Sequence, residues 1–241
     1  MVKDFHLTSV FHLIVSSGTP VFRCGIVGPP EQARRVLIEL LFPPRCPGCG
    51  SGGAVACPGC LVGFGPPRRV SVRGLPVFTL ADHAGAARAV LLAFKERGRR
   101  DLAAVLGALL AAALPLLPLP PGPVWFVPAP STRRAARRRG GPHVAAALRG
   151  AGVPCAPVLG LASGTVDSVG LTAAQRRANL RGRVLLRAGP VPPAGAVCVV
   201  VDDVVTTGAT ALECARVLRS AGFRVPLALT FTSACRTEPD G

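Results

Sequence analysis

The apolar run Ala196-Val197-Cys198-Val199-Val200-Val201 leads straight into Asp202-Asp203 and then into Val204-Val205-Thr206-Thr207-Gly208-Ala209-Thr210. A Val-rich stretch with no polar alternation suits a strand covered on both faces, as in the middle of a parallel sheet. Its end brings carboxylates, hydroxyls and a glycine to a strand-to-helix turn. In open α/β sheets that carboxyl edge is where ligands bind. The periodicity of Thr210–Ala221, with Ala211, Leu212, Ala215 and Leu218, predicts the following helix, stopped at Gly222. Arg224–Phe231 reads as the next strand, so the three elements form a βαβ crossover.

The remaining chain supplies partners for this unit. Val70–Leu80 alternates loosely and predicts one or two strands. Ala86–Lys95 reads as a helix with Val90, Leu91 and Phe94 on one side, and Asp101–Leu114 as a second, with Asp101 as its N-cap. Pro123–Val127 is a second core strand, and His143–Leu148 begins another helix. The apolar stretch Leu102–Leu119 invites comparison with a membrane span, but Pro115, Pro118 and Pro120 break it. A helix followed by a Pro-rich linker, in a cytoplasmic protein, is expected instead.

Nine cysteines invite a disulfide framework, yet four fall in Cys46-Pro47-Gly48-Cys49 and Cys57-Pro58-Gly59-Cys60 and the rest are scattered singly. Paired boxes with an odd remainder fit a reducing compartment and a metal site. Each Cys-x-x-Cys turn offers two thiolates, so Cys46, Cys49, Cys57 and Cys60 are candidate ligands of a structural zinc ion. A redox Cys-x-x-Cys is the alternative, and the duplication weighs against it. Three regions follow: a poorly ordered extension over 1–35, a four-cysteine zinc-ribbon-like module over 36–66, and a main domain over 67–241. Residues 31–41 carry a short amphipathic pattern across the first boundary.

Charge narrows the partners. Lysine and arginine exceed aspartate and glutamate by 28 − 12 = 16, which implies anionic ligands, either phosphorylated small molecules or nucleic acid. Arg133, Arg134, Arg137, Arg138 and Arg139 follow the Pro123–Val127 strand at once and form a local anion trap. A solvated loop or a nucleic-acid patch explains the same run. Residues 162–183 are polar and small-residue-rich and read as a mobile loop with anion-binding side chains or as a plain surface loop.

At the central turn, the helix N-terminus and backbone N–H groups attract a phosphate monoester. Thr206, Thr207 and Thr210 add hydroxyls, and Gly208 lets the backbone approach closely. Asp202 and Asp203 stand where vicinal sugar hydroxyls would reach them. A Walker B strand also ends in acids, but no GxxxxGK[ST] box accompanies this one, and a dinucleotide fold would want GxGxxG, also absent.

VVVDDVVTTGAT resembles the phosphoribosyl-pyrophosphate (PRPP) signature of type I phosphoribosyltransferases. More narrowly, the chain resembles the ComF family, linked by name to competence and DNA uptake. The similarity runs from about Leu37 to Thr232 through LLFPPRCPGCG, the second CPGC, AFKERG, FVPAPSTRRAARRRG and LTAAQRRANLRGRV. It implies a phosphoribosyltransferase-like α/β fold with a mostly parallel sheet and a small N-terminal zinc module. It further implies that Asp202 and Asp203 hold the ribose hydroxyls and that Thr206, Thr207, Gly208, Ala209 and Thr210 cradle the 5-phosphate. Ser131, Arg133, Arg137 and Arg139 would meet the pyrophosphate, and Gln175, Arg177 and Asn179 belong to a flexible loop. Mg²⁺ would arrive with PRPP, and transfer to an unidentified nucleophile would release pyrophosphate. Non-catalytic PRPP binding, or handling of single-stranded nucleic acid, are the alternatives that the same resemblance supports. Where the family has Arg-Gly-Phe-Asn-Gln, this chain has Arg139-Gly140-Gly141-Pro142-His143, a departure that bears on turnover more than on PRPP binding.

Overall fold

The computed structural model describes residues 43–138, 140–163, 180, 182–187 and 191–235. All belong to one unit, Phe42–Gly241. The expectations for residues 1–42, for Arg139 and for the loop carrying Gln175, Arg177 and Asn179 lie outside the described residues.

In chain order, a cysteine knuckle ends in the one-turn helix α1 (Pro58–Leu61). The antiparallel pair β1 (Arg68–Val70) and β2 (Val77–Asp82) comes next, then helices α2 (Gly85–Glu96) and α3 (Leu102–Ala113). Strand β3 (Val124–Pro128) leads to α4 (Arg133–Arg138) and α5 (His143–Gly150). A separate hairpin-like pair, β4 (Leu159–Leu161) and β5 (Val184–Leu186), precedes β6 (Val197–Val205), α6 (Ala209–Ser220) and β7 (Ala228–Ser233). The main sheet has the order β1-β2-β7-β6-β3, with β2, β7, β6 and β3 mutually parallel and β1 an antiparallel edge. The fold is therefore α/β around a mostly parallel sheet, as the Val-rich run led one to expect.

Strand β6 lies between two parallel partners and is covered on both faces, and Val197–Val201 are buried throughout. Val199 and Val201 join Leu229 and Phe231 against α2, α3 and α5. Cys198 and Val200 face Ala211, Cys214, Ala215 and Leu218 of α6. Cys198 is the small core residue its position suggested, and burial pushes its thiol up to about 11. Helix α3 buries Leu102, Leu106, Leu110 and Ala113 along one stripe, and a 3-10 turn containing Pro115 ends it. No helix among the described residues is long and apolar enough to cross a membrane.

Helices α3 and α5 approach until backbone meets backbone: a Cβ on Gly107 would lie 2.6 Å from Gly150 C and 2.7 Å from Ala147 O. That contact fixes where α5, and so His143 at its first position, meets the sheet.

Two local expectations are corrected. Asp101 makes no side-chain cap to α3 and is itself in helical conformation. Its carboxylate is taken by the Arg99 guanidinium at 2.7–3.0 Å, a charge-assisted fork stronger than a cap bond. The strand expected from Arg224 begins at Ala228, with only an isolated bridge from Arg224 to Val197. Pro226, which lacks an N–H for the ladder, separates the two.

Candidate functional site: a cleft at the carboxyl edge of the sheet

A cleft of about 320 Å³ opens where β6 and β3 end, at the size where small-molecule sites begin. Its walls come from the turns after β2, β3 and β6 and from the cleft-facing sides of α2 and α5. The sequence-predicted residues Ser131, Asp202, Asp203, Thr206, Thr207, Gly208, Ala209 and Thr210 all line it.

The turn Thr206–Thr210 has one strict requirement. Gly208, the N-cap of α6, is left-handed at φ 72°, and a Cβ there would run into the Val72 side chain. Only glycine meets both conditions at no steric cost. The Thr207 hydroxyl accepts the Ala209 N–H at 3.4 Å, and the Cys235 thiol donates to the Thr206 carbonyl at 2.7 Å. The turn is thus pinned from within and from behind, with the first N–H groups of α6 at its mouth.

The two adjacent acids have different surroundings. Asp202 is half-buried, and its Oδ1 accepts the Asp203 N–H at 2.8 Å. Asp203 is buried, with Lys95 Nζ from α2 at 3.1 Å from Oδ1 and 2.9 Å from Oδ2. His143 Nε2 from the start of α5 lies 2.8 Å from Oδ2. Burial works against the charged form of Asp203, but the Lys95 ammonium and the His143 hydrogen bond outweigh it. The carboxyl is held well below the usual carboxylate range. The His143 ring also meets Phe94 edge to face, with centroids 5.6 Å apart. On the far wall His83 Nδ1 lies 2.8 Å from Thr232 Oγ1, and burial, then the Arg88 and Lys95 charges, lower its pKa.

Lys95, His143 and His83 are the residues that sequence reasoning missed. A signal existed for Lys95, which stands four residues after the buried Leu91 and so on the inner face of α2. His143 fell within the stretch noted only as a departure from the family pattern.

The arginine run is placed less centrally. Thr132 lines the cleft and its hydroxyl accepts the Ala135 N–H at 3.2 Å in the first turn of α4. Arg133 opens that helix, and Arg137 is exposed on it and is not among the cleft-lining residues. Gly140 and Gly141, both at positive φ, turn the chain back through N–H bonds to Arg137 O and Ala136 O at 3.0 and 2.8 Å. Through that turn and Pro142, His143 arrives at the cleft.

The four cysteines of the two boxes converge, their Sγ atoms all within 4.8 Å of one another. A tetrahedral zinc with bonds near 2.3 Å has sulfur–sulfur edges of about 3.8 Å. The Cys49–Cys57 separation of 3.6 Å is close to that edge. The Cys46 thiol is lowered to about 6: burial opposes the thiolate, but the backbone N–H groups of Cys57, Cys49 and Gly48 stabilise it. Cys60 is raised to about 12, first by its hydrogen bond with Cys57 and then by burial. Such a shared-proton arrangement fits a set of thiols that a cation would ionise together. Gly48 belongs to the same design, since a Cβ there would lie 2.6 Å from Cys60 Sγ. The four cysteines can hold a metal ion.

The knuckle is fastened to α2 and the loop after it. Arg99 donates to the Arg45 and Val55 carbonyls at 2.8 and 3.2 Å, and Phe64 sits in the core beside Leu80 and Phe94.

No family model matches the chain. Solved structures similar to it include adenine phosphoribosyltransferase from Leishmania donovani, 17% identical over 70% of this chain and 75% of that one, with a TM-score of 0.38. The enzyme of the same name from Leishmania tarentolae is 12% identical over 68% of this chain and 94% of that one, TM-score 0.37. That from Saccharomyces cerevisiae is 18% identical over 60% and 73%, TM-score 0.35. Likenesses at this level carry no argument about substrate, which rests on the cleft itself.

Proposed function

We propose that the cleft binds PRPP with its Mg²⁺ and that the chain is a ComF-like phosphoribosyltransferase acting on an unidentified nucleophile. The observation that carries this reading is one cleft lined at once by a glycine-cornered threonine turn at a helix N-terminus and by two adjacent acids. The turn Thr206–Thr210 would take the 5-phosphate through N–H groups and hydroxyls. Asp202 would accept from a ribose hydroxyl. Asp203 offers about four acceptor positions, of which Lys95 and His143 occupy three, leaving one on Oδ1 for the neighbouring hydroxyl. Ser131 and Thr132 stand where the pyrophosphate would lie, with Arg133 and Arg139 as its proposed cationic partners and Arg137 outside the cleft lining. Mg²⁺ belongs to the substrate and neutralises the leaving pyrophosphate.

The protein's part in transfer is positioning and electrostatics, with the sugar held by both acids while charge builds on the leaving group. A second reading, PRPP binding without transfer, is favoured by one observation. Among the described side chains that line the cleft Lys95 is the cation, and it is engaged with Asp203. The metal in the four-cysteine knuckle is proposed to be zinc in a structural role, because four thiolates leave no open position for chemistry.

Titration calorimetry with PRPP and Mg²⁺ tests the binding reading. Saturable 1:1 heat is expected for the native chain and loss of it for Asp202→Asn, and no heat from folded native protein refutes the reading. Pyrophosphate release across a panel of amines and bases then separates transfer from binding alone.

A further inference from the structure

We infer that His143 accepts the proton of the group that displaces pyrophosphate, with Asp203 and Lys95 as the residues that position it. The inference rests on the PRPP reading above and extends it to a residue at which this chain departs from the family pattern.

Three elements meet at this point. His143 opens α5, Asp203 lies on β6 and Lys95 ends α2. An ionised carboxylate can only accept, so the 2.8 Å contact requires that His143 Nε2 carry the proton. In the uncharged ring the lone pair then sits on Nδ1. Among the described residues Nδ1 has no hydrogen-bond partner, and His143 lines the cleft. Carboxylate, imidazole and free ring nitrogen reproduce the arrangement by which a buried acid fixes the tautomer of a general base.

Placement supports the chemistry. The anomeric carbon of PRPP neighbours the carbon bearing the 2-hydroxyl. A sugar whose 2-hydroxyl is held on Asp203 Oδ1 therefore has its reacting atom close to a ring held on Oδ2 of the same carboxylate. His143 also lines a second cavity of about 200 Å³, which shares Ala129, Pro130 and Ser131 with the main cleft. Pro142, Pro157 and Leu159 give this cavity an apolar wall, and Arg187 adds a guanidinium. An incoming molecule seated there would lie against the ring.

Of the other titratable groups that line the cleft, three already have a partner at one atom. His83 Nδ1 is joined to Thr232, Asp202 accepts the Asp203 N–H, and Lys95 is ion-paired. In the step itself, a lone pair on the acceptor's nitrogen or oxygen forms the bond to the anomeric carbon. The bond from that carbon to the pyrophosphate oxygen breaks, and pyrophosphate leaves with the electron pair. The acceptor's proton passes to His143 Nδ1.

Water serves as the probe acceptor, giving ribose 5-phosphate and pyrophosphate from Mg²⁺-PRPP. His143→Ala is expected to bind PRPP within about threefold of the native chain and to release pyrophosphate roughly 100-fold more slowly. Added imidazole should restore part of the lost rate. Unchanged release in the variant overturns the inference, as does absence of release by native protein that binds PRPP, an outcome that leaves the binding reading standing. Failure of the native chain to bind PRPP overturns the binding reading itself. Independently of the variant's folding, ¹⁵N NMR of the native chain should find His143 protonated on Nε2, and an Nδ1–H tautomer would also overturn the proposal.

Discussion

Replacing Lys95 by methionine removes a charge and keeps most of the side-chain volume, so the variant isolates what the ammonium does for Asp203. At about 3 Å and an effective dielectric near 20, the direct attraction is about 5 kcal/mol before desolvation is counted. Stripping one partner from a buried charge typically costs about 3–5 kcal/mol. Lys95 keeps a quarter of its side chain exposed and His143 still donates to Asp203, so the lower range applies. We expect Lys95→Met to lose about 2–3 kcal/mol, seen as a fall of roughly 1 M in the urea midpoint with an unchanged slope. Combining it with Asp203→Asn should recover much of the loss, for a coupling above about 1 kcal/mol. The sign of the pH dependence follows from the lowered carboxyl of Asp203. A proton binds the unfolded state more readily, so this contribution is complete above the unfolded value near 4 and fades as pH falls below it. Asp203→Asn should flatten that acid limb. Strictly additive losses in the double variant, or a Lys95→Met midpoint matching the native one, would refute the reasoning.

Gly107→Ala should destabilise by about 1–3 kcal/mol in thermal or urea unfolding, because its Cβ meets the α5 backbone, which cannot rotate away. Gly208→Ala should weaken PRPP binding at least tenfold by calorimetry, and pairing it with Val72→Ala should recover stability by relieving the clash but not the left-handed strain. Elemental analysis should find about one zinc per chain, with chelation lowering the melting temperature and Cys60→Ser abolishing retention of the metal.

What could be read from sequence was what is local. The Val-rich strand, the acids at its end and the threonine-glycine turn occupy consecutive positions, and each residue type has a mechanical reason to be there. The paired cysteine boxes were legible for the same reason, since each box closes its own turn. The partners of Asp203 were not, because they arrive across 108 and 60 residues and are brought together only when α2 and α5 dock on one face of the sheet. His143 depends on a glycine-glycine turn and on the Gly107 contact that seats α5, neither of which leaves a periodic trace. Asp101 shows the opposite failure, a sound cap signal lost to an arginine two residues away.

The clasp between Arg99 and the cysteine knuckle ties the knuckle to the helices that build the cleft. A shortened chain beginning at residue 67 would leave the Arg99 guanidinium without its two carbonyls and strip Phe64 from the core that supports α2. Lys95 stands four residues before Arg99, so the damage would arrive at the cleft floor. On the proposed readings of knuckle and cleft, a chain deprived of the knuckle's metal would therefore loosen its grip on a substrate elsewhere in the molecule, and scarcity of one nutrient would be felt in the metabolism of another.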